Sequence, residues 1–202
     1  MRAAKSYFVL LGAFVLAVLD AGAQKGPKVG LILPGTGVAE VKLRDDASRF
    51  EAVFPNPNGN GNGAPSGTVG EGCPEQMIYW VDIELGETGV NAYLTNGRIS
   101  QFSVHTSRFA LPGGIKTGAT EPQIKRAFPK GQAYVLLGSN SKVNGGRNLV
   151  YWVDKGDGVA FELAWSQNKK ARLLNGIDVF RKDTEYHPEG CISPPQEWRQ
   201  MK

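Results

Sequence analysis

The chain carries two histidines, and each sits in a setting that could support chemistry. His105 follows Gln101 and Ser103 at two-residue spacing, so in an extended strand the three share one face. There His105 could act as a general base with Asp82 as its orienting partner, and a small periplasmic hydrolase using His105, Asp82 and Asp154 is the enzymatic alternative. No serine or cysteine lies in a strained nucleophile turn, which favours a surface histidine. His187-Pro188-Glu189-Gly190-Cys191 echoes the H-x-E of zinc deaminases, but the P-C-x-x-C partner is absent. Asp154-Lys155-Gly156-Asp157-Gly158 places carboxylates as a calcium loop might, yet its spacing departs from the EF-hand and it lies between two strand patterns, where a hairpin turn belongs. The Gly- and Asn-rich stretch from 55 to 72 lacks the Gly-Lys-Ser/Thr of a phosphate loop and reads as a mobile, disordered loop. These readings predict no catalytic set, no metal and no cofactor: a protein that is not an enzyme.

Composition narrows the class. Arg2 and Lys5 precede an apolar run from Phe8 to Leu19, and Ala21-Gly22-Ala23 follows, the three-part pattern of a signal peptide over residues 1–23. The run is too short to span a bilayer, and no later run is long enough, so no integral membrane segment is expected after cleavage. The expected location is exported, periplasmic or extracellular. Two cysteines, Cys73 and Cys191, in an oxidising compartment predict a disulfide; metal-binding thiols are the alternative, disfavoured by the lack of C-x-x-C spacing. The formal net charge is only +4, and Lys and Arg never cluster on one predicted element, which argues against nucleic acid as a partner.

What must position these groups is a duplicated unit. Tyr79-Trp80-Val81-Asp82 returns as Tyr151-Trp152-Val153-Asp154, 72 positions later. Upstream, Phe54-Pro55 matches Phe128-Pro129, and downstream, Gly89-Val90 matches Gly158-Val159. Phe50, Val53 and Phe54, then Ile124, Ala127 and Phe128, give each copy one short helix with an apolar stripe, started by Asp45 or Asp46 and by a Thr120/Gln123 capping box. Alternating runs at 77–83, 90–94, 99–105, 133–137, 149–154, 159–165 and 177–180 read as antiparallel strands, with Asn96-Gly97 as a hairpin turn. The expected architecture is α+β: two tandem repeats, each a short helix packed on an antiparallel β-sheet, forming one continuous curved sheet. Residues 24–37 form a flexible N-terminal segment, 38–110 repeat one, 111–182 repeat two, and 183–202 a C-terminal tail tied back by the disulfide.

The segment Gly114-Ile-Lys-Thr-Gly-Ala-Thr-Glu-Pro-Gln-Ile-Lys-Arg-Ala-Phe128 resembles the opening of small exported bacterial domains. In tandem, such units resemble the β-lactamase inhibitory protein fold, and singly the outer-membrane assembly lipoproteins of the SmpA/BamE type. The resemblance implies helices on one face of a curved sheet and a protein-binding surface on the other. Repeat one lacks the Gly-x-x-x-Gly opening, and no lipobox cysteine follows the signal peptide.

Strand alternation assigns the faces. Tyr79, Val81, Tyr151 and Val153 are expected under the helices with Val90, Ala92, Leu94, Val159, Phe161 and Leu163. The opposite, open face is expected to display Trp80, Asp82, Tyr93 and His105 from repeat one, and Trp152, Asp154, Glu162 and Phe180 from repeat two. Aromatic and polar side chains mixed on one surface suit a protein partner. The expected function is therefore an exported, non-enzymatic protein-binding module, an inhibitor, immunity-type or envelope-assembly factor.

Overall fold

The computed structural model describes residues 30–55, 61–63, 73–138, 147–191 and 198–201. The expected signal peptide, residues 1–23, lies outside them. Residues within 24–37 that are described are not a free segment: β1 (Gly30–Leu33) and β2 (Gly37–Val38) join β3 (Val41–Lys42) and the later β8 (Phe109–Ala110) in a small sheet ordered β3-β2-β1-β8. Ile32 and Val38 are fully buried there, which sets this segment in place despite its glycines and prolines.

Helix α1 (Ala47–Val53) starts where Asp46 Oδ1 accepts from the Arg49 N–H at 3.1 Å. Helix α2 (Glu121–Ala127) starts where Gln123 Oε1 accepts from the Thr120 N–H at 2.8 Å. Seven residues are too few to hold a helix in water, so both depend on docking. The strands are β4 (Gly61–Gly63), β5 (Gln76–Asp82), β6 (Glu87–Thr95), β7 (Arg98–His105), β9 (Gln132–Leu136), β10 (Leu149–Asp154), β11 (Val159–Ser166), β12 (Ala171–Phe180) and β13 (Trp198–Gln200). They form one antiparallel sheet ordered β13-β9-β10-β11-β12-β7-β6-β5-β4. The mixed α+β class with two helices on large antiparallel sheets is as expected. β4 lies inside the stretch read as a loop, pairing Gly61 with Tyr79 and Gly63 with Met77; the rest of 56–72 lies outside the described residues.

The face assignment is corrected by register. Trp80 pairs with Val90 and Trp152 with Phe161, and directly paired residues project to one side. Both tryptophans therefore belong to the helix side, and Tyr79, Val81, Tyr151 and Val153 to the other. Trp80 is 3 % exposed, beside Phe54 at 5.9 Å and Phe109 at 6.4 Å. Trp152 donates from Nε1 to the Phe128 carbonyl at 2.8 Å. In each half the tryptophan thus meets the phenylalanine that ends the helix, which is why Phe-Pro and Tyr-Trp-Val-Asp recur together. Val90, Ala92, Leu94, Val159, Phe161 and Leu163 do lie in this main core.

Nor is the second face open throughout. Tyr151, Val153, Ala160 and Phe180 form a second apolar cluster with Tyr186 and Trp198 from the tail. Trp198 stacks on Tyr134 at 4.9 Å as β13 pairs with β9. The disulfide Cys73–Cys191 holds the tail in place.

Candidate functional site

The second face carries a connected polar network where β7 and β12 pair. Ser103 lies opposite Asp178, and Gln101 opposite Phe180. Asp178 is buried and accepts from the hydroxyls of Tyr186 and Ser103. Burial pushes its carboxyl up to about 6, against the pull of those two hydrogen bonds and of nearby His105. His105 Nε2 lies 2.8 Å from Ser103 Oγ and its Nδ1 3.2 Å from the Asn175 carbonyl. A Cβ at Gly176 would stand 2.5 Å from the imidazole, so only glycine leaves room for that ring. Asn175 Nδ2 donates to Glu162, which also accepts from Tyr151 Oη at 3.0 Å. Burial and the neighbouring carboxylates push the hydroxyls of Tyr93, Tyr151 and Tyr186 up.

Of the residues expected on this face, the structure brings together Tyr93, His105, Glu162 and Phe180. Trp80 and Trp152 are absent from it, for the register reason above. Asp82 is fully buried: Arg108 grips it through Nε at 2.7 Å and Nη2 at 2.7 Å, and Thr106 Oγ1 donates at 2.8 Å. Burial would raise its carboxyl, but these donors outweigh that and hold it below its ordinary value. Asp154 is buried in the β10–β11 hairpin, where Oδ1 accepts from the Asp157 N–H at 3.1 Å. Neither aspartate contacts a ring nitrogen of His105, whose partners are Ser103 and Asn175. Among the described residues no group of three or more His, Cys, Asp or Glu is placed to hold a metal. Sequence reasoning missed Tyr186 and Trp198, although two aromatics in a short tail signal docking rather than a tether.

The fold has a likeness among solved structures. The chain is similar in fold to the uncharacterized protein YfeY from Escherichia coli. The crystal structure of YfeY matches with a TM-score of 0.51 and 14 % identity, covering 74 % of this chain and 99 % of that one. No family model and no curated protein matches the sequence. At this identity the likeness to YfeY speaks to fold alone. The disulfide fits an oxidising compartment, and no helix among the described residues is long and apolar enough to cross a membrane.

Proposed function

We propose that this is an exported, non-enzymatic module that binds another protein through the part of the second face its own tail leaves uncovered. The observation that carries the reading is a row on β5: Met77, Tyr79 and Val81 are all partly exposed on that side. The strand partners of Met77 and Tyr79 on β4 are Gly63 and Gly61, which offer no side chain beside them. Asn91, His105 and Glu162, also partly exposed, supply a polar border. An apolar and aromatic strip edged by hydrogen-bonding groups has the make-up of a protein-binding surface. The matching order of one helix and four strands in each half supports descent from a doubled unit, as in the inhibitory-protein resemblance.

The hydrolase alternative draws on the Ser103–His105 contact, a nucleophile–base pair in outline. Three features favour binding over it. Ser103 is 5 % exposed, its hydroxyl is shared with Asp178, and its strand is paired on both sides, opposite Asn91 and Asp178. Backbone N–H groups spent on two ladders leave no oxyanion donors beside it.

The test places a photo-crosslinking residue at Tyr79 in the full chain and irradiates the native envelope fraction. A discrete protein adduct that disappears when Val81→Lys is added supports the reading. An adduct pattern unchanged by Val81→Lys, or none at all, refutes it. Because both positions are partly exposed, thermal stability should change by less than about 1 kcal/mol.

A further inference from the structure

A solvent-open cleft of about 650 Å³ lies between the small sheet and the start of β7. Four exposed cations line it: Lys42 at the end of β3, Arg44 in the following turn, Arg98 opening β7, and Arg181 just after β12. Leu43 and Ile99 contribute apolar lining. No carboxylate lines it among the described residues. Asp46 reaches Arg98 only at 3.7 Å, with both side chains more than half exposed. Lys42, Arg44 and Arg181 make no ion pair among the described residues. Four cations against one long, exposed contact from Asp46 and the nearby Asp45, which accepts from the Lys42 N–H, leave a net positive field, which draws anions.

The backbone beneath the cations is held in place. The Arg44 N–H donates to the Ile99 carbonyl at 2.7 Å, and the Ile99 N–H donates to the Asp45 carbonyl at 2.9 Å, locking the Arg44 turn to β7. Arg44 itself sits at φ 75°, a left-handed conformation that non-glycine residues seldom adopt. The backbone at Arg44 is thus already ordered before a ligand arrives, and only side-chain freedom remains to be lost on binding.

We propose that this cleft binds phosphate groups. Three of the four cations are arginines, whose planar forks form paired hydrogen bonds with phosphate oxygens. The volume falls within the roughly 300–1,000 Å³ of sites that enclose small organic ligands, so the ligand is larger than a single phosphate ion. It is a chain of phosphates or a phosphorylated headgroup. Leu43, partly exposed between Lys42 and Arg44, offers an apolar contact to the non-phosphate part of such a headgroup.

The experiment uses the mature, disulfide-bonded chain and two probes: inorganic tripolyphosphate by calorimetric titration, and phosphatidylglycerol vesicles by co-sedimentation against phosphatidylcholine vesicles. Saturable binding of at least one probe is expected, weakening about tenfold or more as added salt shortens the screening length. The triple variant Arg44→Gln, Arg98→Gln, Arg181→Gln should lose about thirtyfold or more in affinity, on the scale of charge-assisted pairs removed from one site. Lys169→Gln with Lys170→Gln, outside the cleft, should bind as the parent does. Arg44→Gln alone guards against a folding defect in the triple variant and should weaken binding severalfold at unchanged melting temperature. Binding of tripolyphosphate assigns a soluble ligand, and binding of anionic vesicles alone a lipid headgroup. Either supports the proposal. Absence of saturable binding to both probes, or equal binding by the triple variant and the parent, overturns it.

Discussion

Asp178 and Asp82 are both buried carboxylates, yet they shift in opposite directions because only Asp82 is gripped by a guanidinium. Arg108 neutralises Asp82 with two hydrogen bonds, whereas Asp178 is met by neutral hydroxyls. For Asp178 the folded value near 6 exceeds the ordinary 3.8, so between those values the folded chain holds more protons than the unfolded one. Stability then falls as pH rises through that window and is level above it, by up to about 3 kcal/mol. For Asp82 the folded value lies below 3.8, so its contribution is complete above that pH and is lost as pH falls past it. Urea denaturation across this range should show a maximum near the ordinary carboxylate value. Asp178→Asn should remove the decline on the alkaline side and leave the acid limb intact; an unchanged alkaline decline would show that another group causes it. Little of this was legible beforehand. The alternation in Tyr-Trp-Val-Asp is real, but the tail covers part of the second face too, so apolar residues occur at both parities and alternation alone cannot say which lies under the helices. The pairing of Trp80 with Val90 decides it, and that is a tertiary fact.

At the level of elements, the helices and the central strands could be read from their caps, apolar spacing and turns, because those signals are local. β1 and β2 could not, since β1 is held by parallel pairing with β8, almost eighty residues away. The tail was rightly expected to be tied back by the disulfide, but its packing escaped notice for the same reason: the partners of Trp198, namely Tyr134, Tyr151 and Tyr186, come from three different segments. The cationic cleft escaped notice because its four charges come from three segments far apart in sequence, around 42–44, at 98 and at 181, none of which is itself a basic run. Two tryptophans separate the roles of core and tail. Trp80→Ala empties a site among Phe54, Phe109 and Val90 and should cost about 3–5 kcal/mol. Trp198→Ala should act locally, since β13 is a three-residue edge strand. Hydrogen exchange then distinguishes them: Trp80→Ala speeds exchange throughout the large sheet, and Trp198→Ala only in β13, β9 and the segment around Tyr186. Global loss of protection in Trp198→Ala would mean that the tail is part of the main cooperative unit.

The whole molecule is held together at two places far apart in sequence. One is the pairing of β7 with β12, four residues long from Ile177↔Val104 to Phe180↔Gln101, which joins a five-stranded and a four-stranded half into a single sheet over one continuous core. The other is the disulfide, which spans 118 residues and fastens the tail over that same seam, with Gly190 against Gln101. A link of this span constrains the unfolded chain strongly, and the chain-entropy account gives about 4–5 kcal/mol. A second consequence follows from where it lies. With the link removed, Tyr186 and the 3-10 turn Pro188–Gly190 keep only their packing and the hydrogen bond to Asp178 on the second face, so that cover should open before the rest unfolds. In the double variant Cys73→Ser, Cys191→Ser, the hydroxyl of Tyr186 should become accessible and Asp178, relieved of burial, should titrate closer to 3.8. The alkaline decline in stability would shrink along with the overall loss. If the double variant lost about 4–5 kcal/mol but kept the full decline, the disulfide would act through the unfolded chain alone, and the tail would stay docked without it.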